Sequence, residues 1–315
     1  MIKVFLFFIL FPIITLAQYE VWAYVMNKEE KNFPKESIIT DIAHFDAKII
    51  SDGLISNPMK NPPSINYVSE NVRRHLVITA PHNSELSHYY LDPNLPLRNK
   101  IITNIVKESK TYDGIQIDFE AVHSNDGTAF LNFLIDLKKS LPKEKILSVA
   151  VLARWESHKK NNPLDAYDYK LIGKIADRVI VMAYDEHWRT GPPGPIASIP
   201  WCRKIFTHAL KTIPNQKIIM GIPLYGRAWQ TKILPNVSKQ KDIINKMKNL
   251  KIQNIKNTDS GGSFQYKEEA TINIFHETYE SIKAKKKLYL SYPIKGTAYW
   301  RVGQEPDLFW EKFIN

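Results

Sequence analysis

Short apolar runs recur along this chain, separated by stretches in which apolar residues return every three or four positions. Residues 19–26, 39–45, 75–80, 146–153, 178–184 and 217–224 have the length and composition of strands. The run 146–153 is continuous enough to be buried on both faces. Between such runs, residues 128–140 place Phe130, Phe133, Leu134 and Leu137 at i, i+3, i+4 and i+7, the stripe of an amphipathic helix. Helices are predicted also over 97–110, 169–176, 201–212 and 278–290, and further strands over 271–275 and 296–302. Strand–helix alternation implies a parallel sheet, and about eight such units closing on one another make a (β/α)₈ TIM barrel, an α/β fold. A doubly wound sheet is the alternative, but no Gly-rich phosphate loop follows the first strand.

Two stretches break the rhythm. Residues 47–55 contain Asp52-Gly53 and predict a hairpin-like excursion. Residues 230–269 are rich in Lys and Asn, with a helix expected over 241–250 and a turn at Ser260-Gly-Gly262. This is read as a short insertion after the seventh strand, forming a wall and not a separate domain.

The fourth strand falls in Tyr112-Asp-Gly-Ile-Gln-Ile-Asp-Phe-Glu120. Its alternation sends Ile115, Ile117 and Phe119 to one face and Gln116, Asp118 and Glu120 to the other. Buried carboxylates are costly unless paired, hydrogen-bonded or protonated, and like charges this close push one pKa upward. A solvated edge strand would carry the same letters, so the rest of the chain has to decide. In a barrel the carboxyl ends of the strands surround one mouth. There the sixth strand brings Tyr184, Asp185 and Trp188, the seventh Tyr225 and Trp229, and the last Tyr299 and Trp300. Aromatic faces for sugar C–H groups and carboxylates for hydroxyls and a leaving oxygen are what a carbohydrate site requires.

Composition changes the picture in three places. Lys3, an apolar run over 4–14, then Thr15 and Ala17 read as a secretory signal, since the run is shorter than the ~20 residues of a spanning helix. Residues 1–17 are therefore expected to be removed, leaving 18–315 as one barrel; an uncleaved anchor is the alternative. The single cysteine, Cys202, forms no internal disulfide and is read as a packing residue, so a secreted chain of this size relies on its core. The excess of 43 Lys+Arg over 32 Asp+Glu, a net charge of +11, suits an anionic wall polymer as well as a plain basic surface. Nucleic acid is disfavoured by the export signal and by the absence of a recognised motif. No metal is expected, because His82, His88, His123 and His187 lack ligand spacing.

The run Asp113-Gly-x-x-x-Asp118-x-Glu120 resembles the active-site strand of family 18 glycoside hydrolases, the chitinase type, D-G-x-D-x-D-x-E. Met182-x-Tyr184-Asp185 and Gly221-Ile-Pro-Leu-Tyr225-Gly-Arg-x-Trp229 are similar to the family's sixth- and seventh-strand motifs. Gly194–Trp201 and Gly296–Gly303 resemble the branch of spore-cortex peptidoglycan glucosaminidases. The resemblance implies that Glu120 is the general acid/base, that Asp118 orients and stabilises the substrate's N-acetyl group, and that Tyr184 donates a hydrogen bond to it. It also implies Trp300 as the floor of the sugar subsite, with Gln116, Asp185 and Tyr225 as further substrate contacts. Two departures stand out: Gln116 replaces the middle Asp, and Thr79-Ala-Pro-His82 replaces the S-x-G-G of many chitinases.

The expectation is a secreted or cell-envelope retaining hydrolase, monomeric and without cofactor, that cleaves β-N-acetylglucosaminyl linkages in peptidoglycan or a related GlcNAc polysaccharide. Hydrolysis of chitin oligosaccharides is the alternative within the class. A silent, lectin-like barrel is the alternative outside it, and Glu120 argues against that because binding alone needs no acid there. A partner-binding scaffold is disfavoured by the polar and aromatic groups gathered at one mouth.

Overall fold

The computed structural model describes residues 19–30, 33, 38–50, 52–57, 71–157, 166–230, 240–253, 256–258, 261–267, 269–307 and 309–310. The export signal read over 1–17 lies outside them. The first half contains strands β1 (Glu20–Val25), β2 (Asp41–Ile49), β3 (Ile55–Ser56) and β4 (Arg73–Thr79), and helices α1 (Ser84–Leu91) and α2 (Pro96–Glu108). Strand β5 (Gly114–Asp118), helix α3 (Gly127–Ser140), strand β6 (Ile146–Leu152), helix α4 (Tyr169–Ile175) and strand β7 (Arg178–Met182) follow. Then come helix α5 (Ile199–Thr212) and strands β8 (Ile218–Pro223) and β9 (Gly226–Gln230). The last part holds α6 (Gln240–Asn249), β10 (Lys256–Thr258), β11 (Gly261–Ser263), β12 (Ile272–His276), α7 (Tyr279–Tyr289) and β13 (Gly296–Trp300).

Eight of these strands pair in parallel in the order β1-β13-β8-β7-β6-β5-β4-β2, and β1 pairs with β2 to close the barrel. Side-chain alternation divides the core in two. Trp22, Tyr24, Ala43, Val77, Ile180, Ile219 and Ala298 fill the lumen. Ile115, Ile117, Val149, Val151, Val179 and Val181 point outward into the layer shared with Phe130, Phe133, Leu134 and Leu137 of α3 and Ile205 and Phe206 of α5. The face of β5 read as acidic is thus the lumen face: Gln116 and Asp118 are buried there.

A bulge in β2 between Phe45 and Ala47 reverses its parity, so Phe45 packs against the lumen cluster while Ala47 and Ile49 join the outer layer. Beyond it the excursion read over 47–55 is present as the antiparallel pairing of β2 with β3, turned at Gly53, whose φ of 77° suits glycine. The amino-terminal end of the lumen is plugged by ions. Glu20 accepts from Arg178 at 2.8 and 2.7 Å and pairs with Arg73 at 2.7 Å. Arg73 also makes two 2.8 Å bonds to Asp41, whose Oδ1 lies 2.8 Å from His75 Nε2.

One sequence expectation is corrected. Residues 271–275 are not a barrel strand: β12 pairs antiparallel with β9 in a separate two-stranded ribbon, so the excursion after β8 is bracketed by that ribbon. The pairing joins segments about forty residues apart, which no local pattern announces. Within the excursion α6 occupies the helix expected near 241–250, and β10 and β11 form a small hairpin.

Candidate active site

The carboxyl ends of the barrel strands converge on a pocket of about 120 Å³ lined by Tyr24, Phe45, Asp118, Glu120, Met182, Tyr184, Asp185, Tyr225 and Trp300. Six of the seven residues singled out from the sequence meet in this wall. Asp118 ends β5 and Glu120 follows two residues on, so their positions on one strand face are set by the strand period. Tyr184 and Asp185 leave the end of β7, with Asp185 in the left-handed region at φ 60°. Tyr225 sits in the short turn between β8 and β9, and Trp300 ends β13.

Gln116 lies beneath the pocket instead of in its wall. It is fully buried, and its Nε2 donates to the Tyr24 hydroxyl at 2.6 Å. The amide thereby ties β5 to β1 under the acid pair. Gln116 Oε1 and Asp118 Oδ1 are buried without a hydrogen-bond partner among the described residues. Trp300 stands on Tyr24, with ring centroids 5.2 Å apart, and against Phe45 edge-on at 4.7 Å. Tyr184 and Tyr225 meet edge-to-face at 6.4 Å.

Burial, with the charge of Glu120, pushes Asp118 up to about 8. Burial also raises Glu120; the charge that His82 can carry opposes this, and Asp185 adds to it. The pair therefore retains a proton at neutral pH, because Asp118 is buried beside the charge of Glu120 and no cationic side chain lines the pocket among the described residues. Burial raises the Tyr184 hydroxyl well above its ordinary range, with Tyr24 and Asp118 adding to the effect, so it stays a donor. Asp185 differs: its Oδ1 accepts from Tyr225 and from Arg227 of β9, each at 2.5 Å. The ion pair to Arg227 ties this third carboxylate to the ribbon.

The sequence reading missed Tyr24, Phe45 and the electrostatic influence of His82, and named Met182 only within the sixth-strand motif. Tyr24 and Phe45 carried a usable signal, an aromatic residue near the carboxyl end of the first and second barrel strands.

A parallel eight-stranded barrel whose mouth combines a buried carboxylic acid, a more exposed one two residues on along the same strand face, a half-buried tyrosine and an indole floor has the outfit of a glycosidase. Residues 54–305 match the family model described as Glycosyl hydrolases family 18, and the chain belongs to that family. It is 34% identical over 219 residues to the uncharacterized glycosylase YvbX of Bacillus subtilis, covering 68% of this chain and 63% of that protein. It is 29% identical over 280 residues to the cortical fragment-lytic enzyme of Bacillus anthracis, covering 84% of this chain and 65% of that protein. The chain thus spans a little under two-thirds of the length of these two relatives. The crystal structure of the Bacillus cereus spore cortex-lytic enzyme SleL matches with a TM-score of 0.72 at 25% identity, over 93% of this chain and 73% of that one.

Proposed function

We propose that this chain is a retaining β-N-acetylglucosaminidase acting on peptidoglycan glycan, in which the substrate's own 2-acetamido group is the nucleophile. The observation that carries the reading is Asp118: it is buried beside Glu120 on one strand face, held protonated by that burial, and lies next to the acid instead of across a sugar ring from it. A retaining enzyme with a protein nucleophile needs an ionised carboxylate facing the acid, at about 5 Å. Neither remaining acid suits that role. Asp118 is neutral in the resting pocket, and Asp185 spends its inner oxygen on Tyr225 and Arg227.

In the proposed cycle the proton that the pair retains passes to Glu120 when substrate binds. Glu120 delivers it to the glycosidic oxygen as the acetamido carbonyl oxygen attacks the anomeric carbon and the glycosidic bond breaks. Proton transfer leaves a carboxylate beside the positive charge that develops on the cyclised sugar. Asp118 orients the acetamido N–H, Tyr184 donates to its oxygen, and Trp300 supports the ring. Water then opens the cyclised sugar with Glu120 as base, which restores the original anomeric configuration. The names of the cortex-lytic relatives support peptidoglycan as the polymer. Export fits a wall substrate and rests on the leader read over 1–17. Among the described residues no helix is long and apolar enough to cross a membrane.

The test is dependence on the N-acetyl group. Oligosaccharides of N-acetylglucosamine should be cleaved with retention, their deacetylated and glucose counterparts at least about 10³-fold more slowly, and a thiazoline mimic of the cyclised sugar should inhibit competitively. Comparable cleavage of glucosides, or a sugar trapped covalently on a carboxylate of the protein, would overturn the reading.

A further inference from the structure

Outside the catalytic pocket the rim of the barrel carries a second concavity of about 850 Å³, against about 120 Å³ for the catalytic pocket. It lies between the segment leaving β6 and the first turns of α5, and shares no lining residue with the catalytic pocket. One wall is Trp155, which packs against the main core on one side and lines the groove on the other. Opposite stand Ile199 and Pro200, then Arg203 and Lys204 one turn along α5, with His208 a further turn on. Arg203 and Lys204 are exposed and form no ion pair among the described residues. Glu156, the one acid in the lining among the described residues, pairs with Lys211 at 3.0 Å.

The groove is held in place. The Tyr169 hydroxyl accepts from the Arg154 backbone N–H at 3.1 Å and donates to the Leu152 carbonyl at 2.7 Å, and its ring lies 5.3 Å from that of His208. Arg154 in turn rests over Tyr167, 5.5 Å from its centroid, whose hydroxyl donates to the carbonyl of Phe119 at 2.5 Å. Phe119 is the residue between Asp118 and Glu120. The groove is therefore built onto the backbone that carries the acids, one step around the rim from the mouth.

We propose that this groove binds a second stretch of an acidic, sugar-containing wall polymer, its carboxylates paired with Arg203 and Lys204 and a sugar face laid on Trp155. A fixed indole beside apolar Ile199 and Pro200 suits the C–H face of a pyranose, which an inorganic anion lacks. Two exposed cations that form no ion pair among the described residues, beside an acid that already has Lys211 as partner, suit carboxylates, and the whole chain's charge of +11 favours an anionic partner. The volume is within the roughly 300–1,000 Å³ of sites that enclose small ligands, enough for a disaccharide unit. The choice of polymer rests on the function proposed above, and the groove would hold an enzyme to insoluble wall while the pocket works on a nearby linkage.

The experiment uses the exported protein, an Arg203→Glu/Lys204→Glu double variant and Trp155→Ala. Purified sacculi stripped of phosphate polymers are mixed with each protein and pelleted; a soluble N-acetylglucosamine oligosaccharide reports turnover. The double variant should bind sacculi about ten-fold more weakly and keep wild-type turnover on the soluble substrate. Wild type should bind amidated sacculi as weakly as the variant binds native ones, and Trp155→Ala should weaken binding to both. Wild-type retention of the double variant, equal wild-type binding to native and amidated sacculi, or retention that needs phosphate polymer or nucleic acid would overturn the groove. Retention on sacculi without turnover of the soluble substrate would overturn the proposed activity and leave the groove standing.

Discussion

Glu120 and Asp118 share a strand face, a pocket and a proton, yet their substitution should separate. Glu120→Gln keeps the shape and hydrogen-bonding atoms of the side chain but removes the transferable proton. Turnover should fall by about 10²–10⁴-fold while oligosaccharide affinity, read by isothermal titration, changes little. Retention of a tenth of the wild-type rate would remove Glu120 from the acid role. Gln116 shows how far a residue's chemistry can be read from its neighbours. The strand period placed it on the acidic face, and the structure agrees. The period could not show that its amide would be spent on Tyr24, since that contact spans 92 positions of sequence. The amide carries no charge to share, so the proton retained by the acids is a matter for Asp118 and Glu120 alone.

At the scale of elements, the barrel strands were legible because a strand buried on both faces must be apolar along its length, as 146–153 is. The same property hid Tyr24: where both faces are apolar, lumen and outer layer look alike until the pairing is known, whereas Phe45 lies in a strand interrupted by Asp41, His44, Asp46 and Lys48 and by the bulge after it. Helix α1 was missed because its Ser-Glu-Leu-Ser-His pattern lacks a broad apolar stripe, although Asn83 caps it by accepting from the backbone N–H groups of Glu85 and Leu86. The ribbon of β9 and β12 was missed as a pair because its register is set across the insertion. Strand β8 shows an element serving the site directly. A β-carbon on Gly221 would stand 2.8 Å from Tyr184 Cε1 and 2.8 Å from the Val181 carbonyl oxygen of β7. Gly221→Ala should therefore displace the Tyr184 ring and strain the β7–β8 pairing, at a cost of about 1–3 kcal/mol in stability. The expected result is a folded protein with a lowered urea midpoint and a kcat/KM reduced by more than ten-fold, since misplacement by about 1 Å is that costly. Unchanged kcat/KM in a soluble variant would show that Tyr184 needs no such space.

Across the whole molecule the two ends of the lumen respond to pH in opposite senses. Burial alone would raise Glu20 and Asp41. For Glu20 the hydrogen bonds and charge of Arg178, with Arg73, outweigh it, and for Asp41 those of His75 and Arg73 do. Both carboxyls are held below their ordinary range, so their contribution is present above about pH 4.5 and lost as pH falls. Burial, with the charges of Arg74 and His75, lowers buried His44 to about 3, so that its contribution is complete above about 6.5 and declines below it. Asp118, raised to about 8, has the reverse sign: its contribution is present below about 3.8 and is lost as pH rises through 8. The urea midpoint of the free protein should fall between about pH 6.5 and 8, and Asp118→Asn should flatten that slope. An equal slope in both proteins would show that Asp118 does not hold its proton. The closure of the barrel has a temporal consequence. Strand β1 is sealed between β2 and β13, with Glu20 opposite Gly296, so the contact that completes the ring joins the two extremes of the fold. Such closure has high contact order and must await a late segment, and until then both flanking edges stay unpaired. A ribosome-bound chain lacking β13 can assemble strand–helix units but cannot lock them, which leaves a chaperone an interval in which both edges are still open to it.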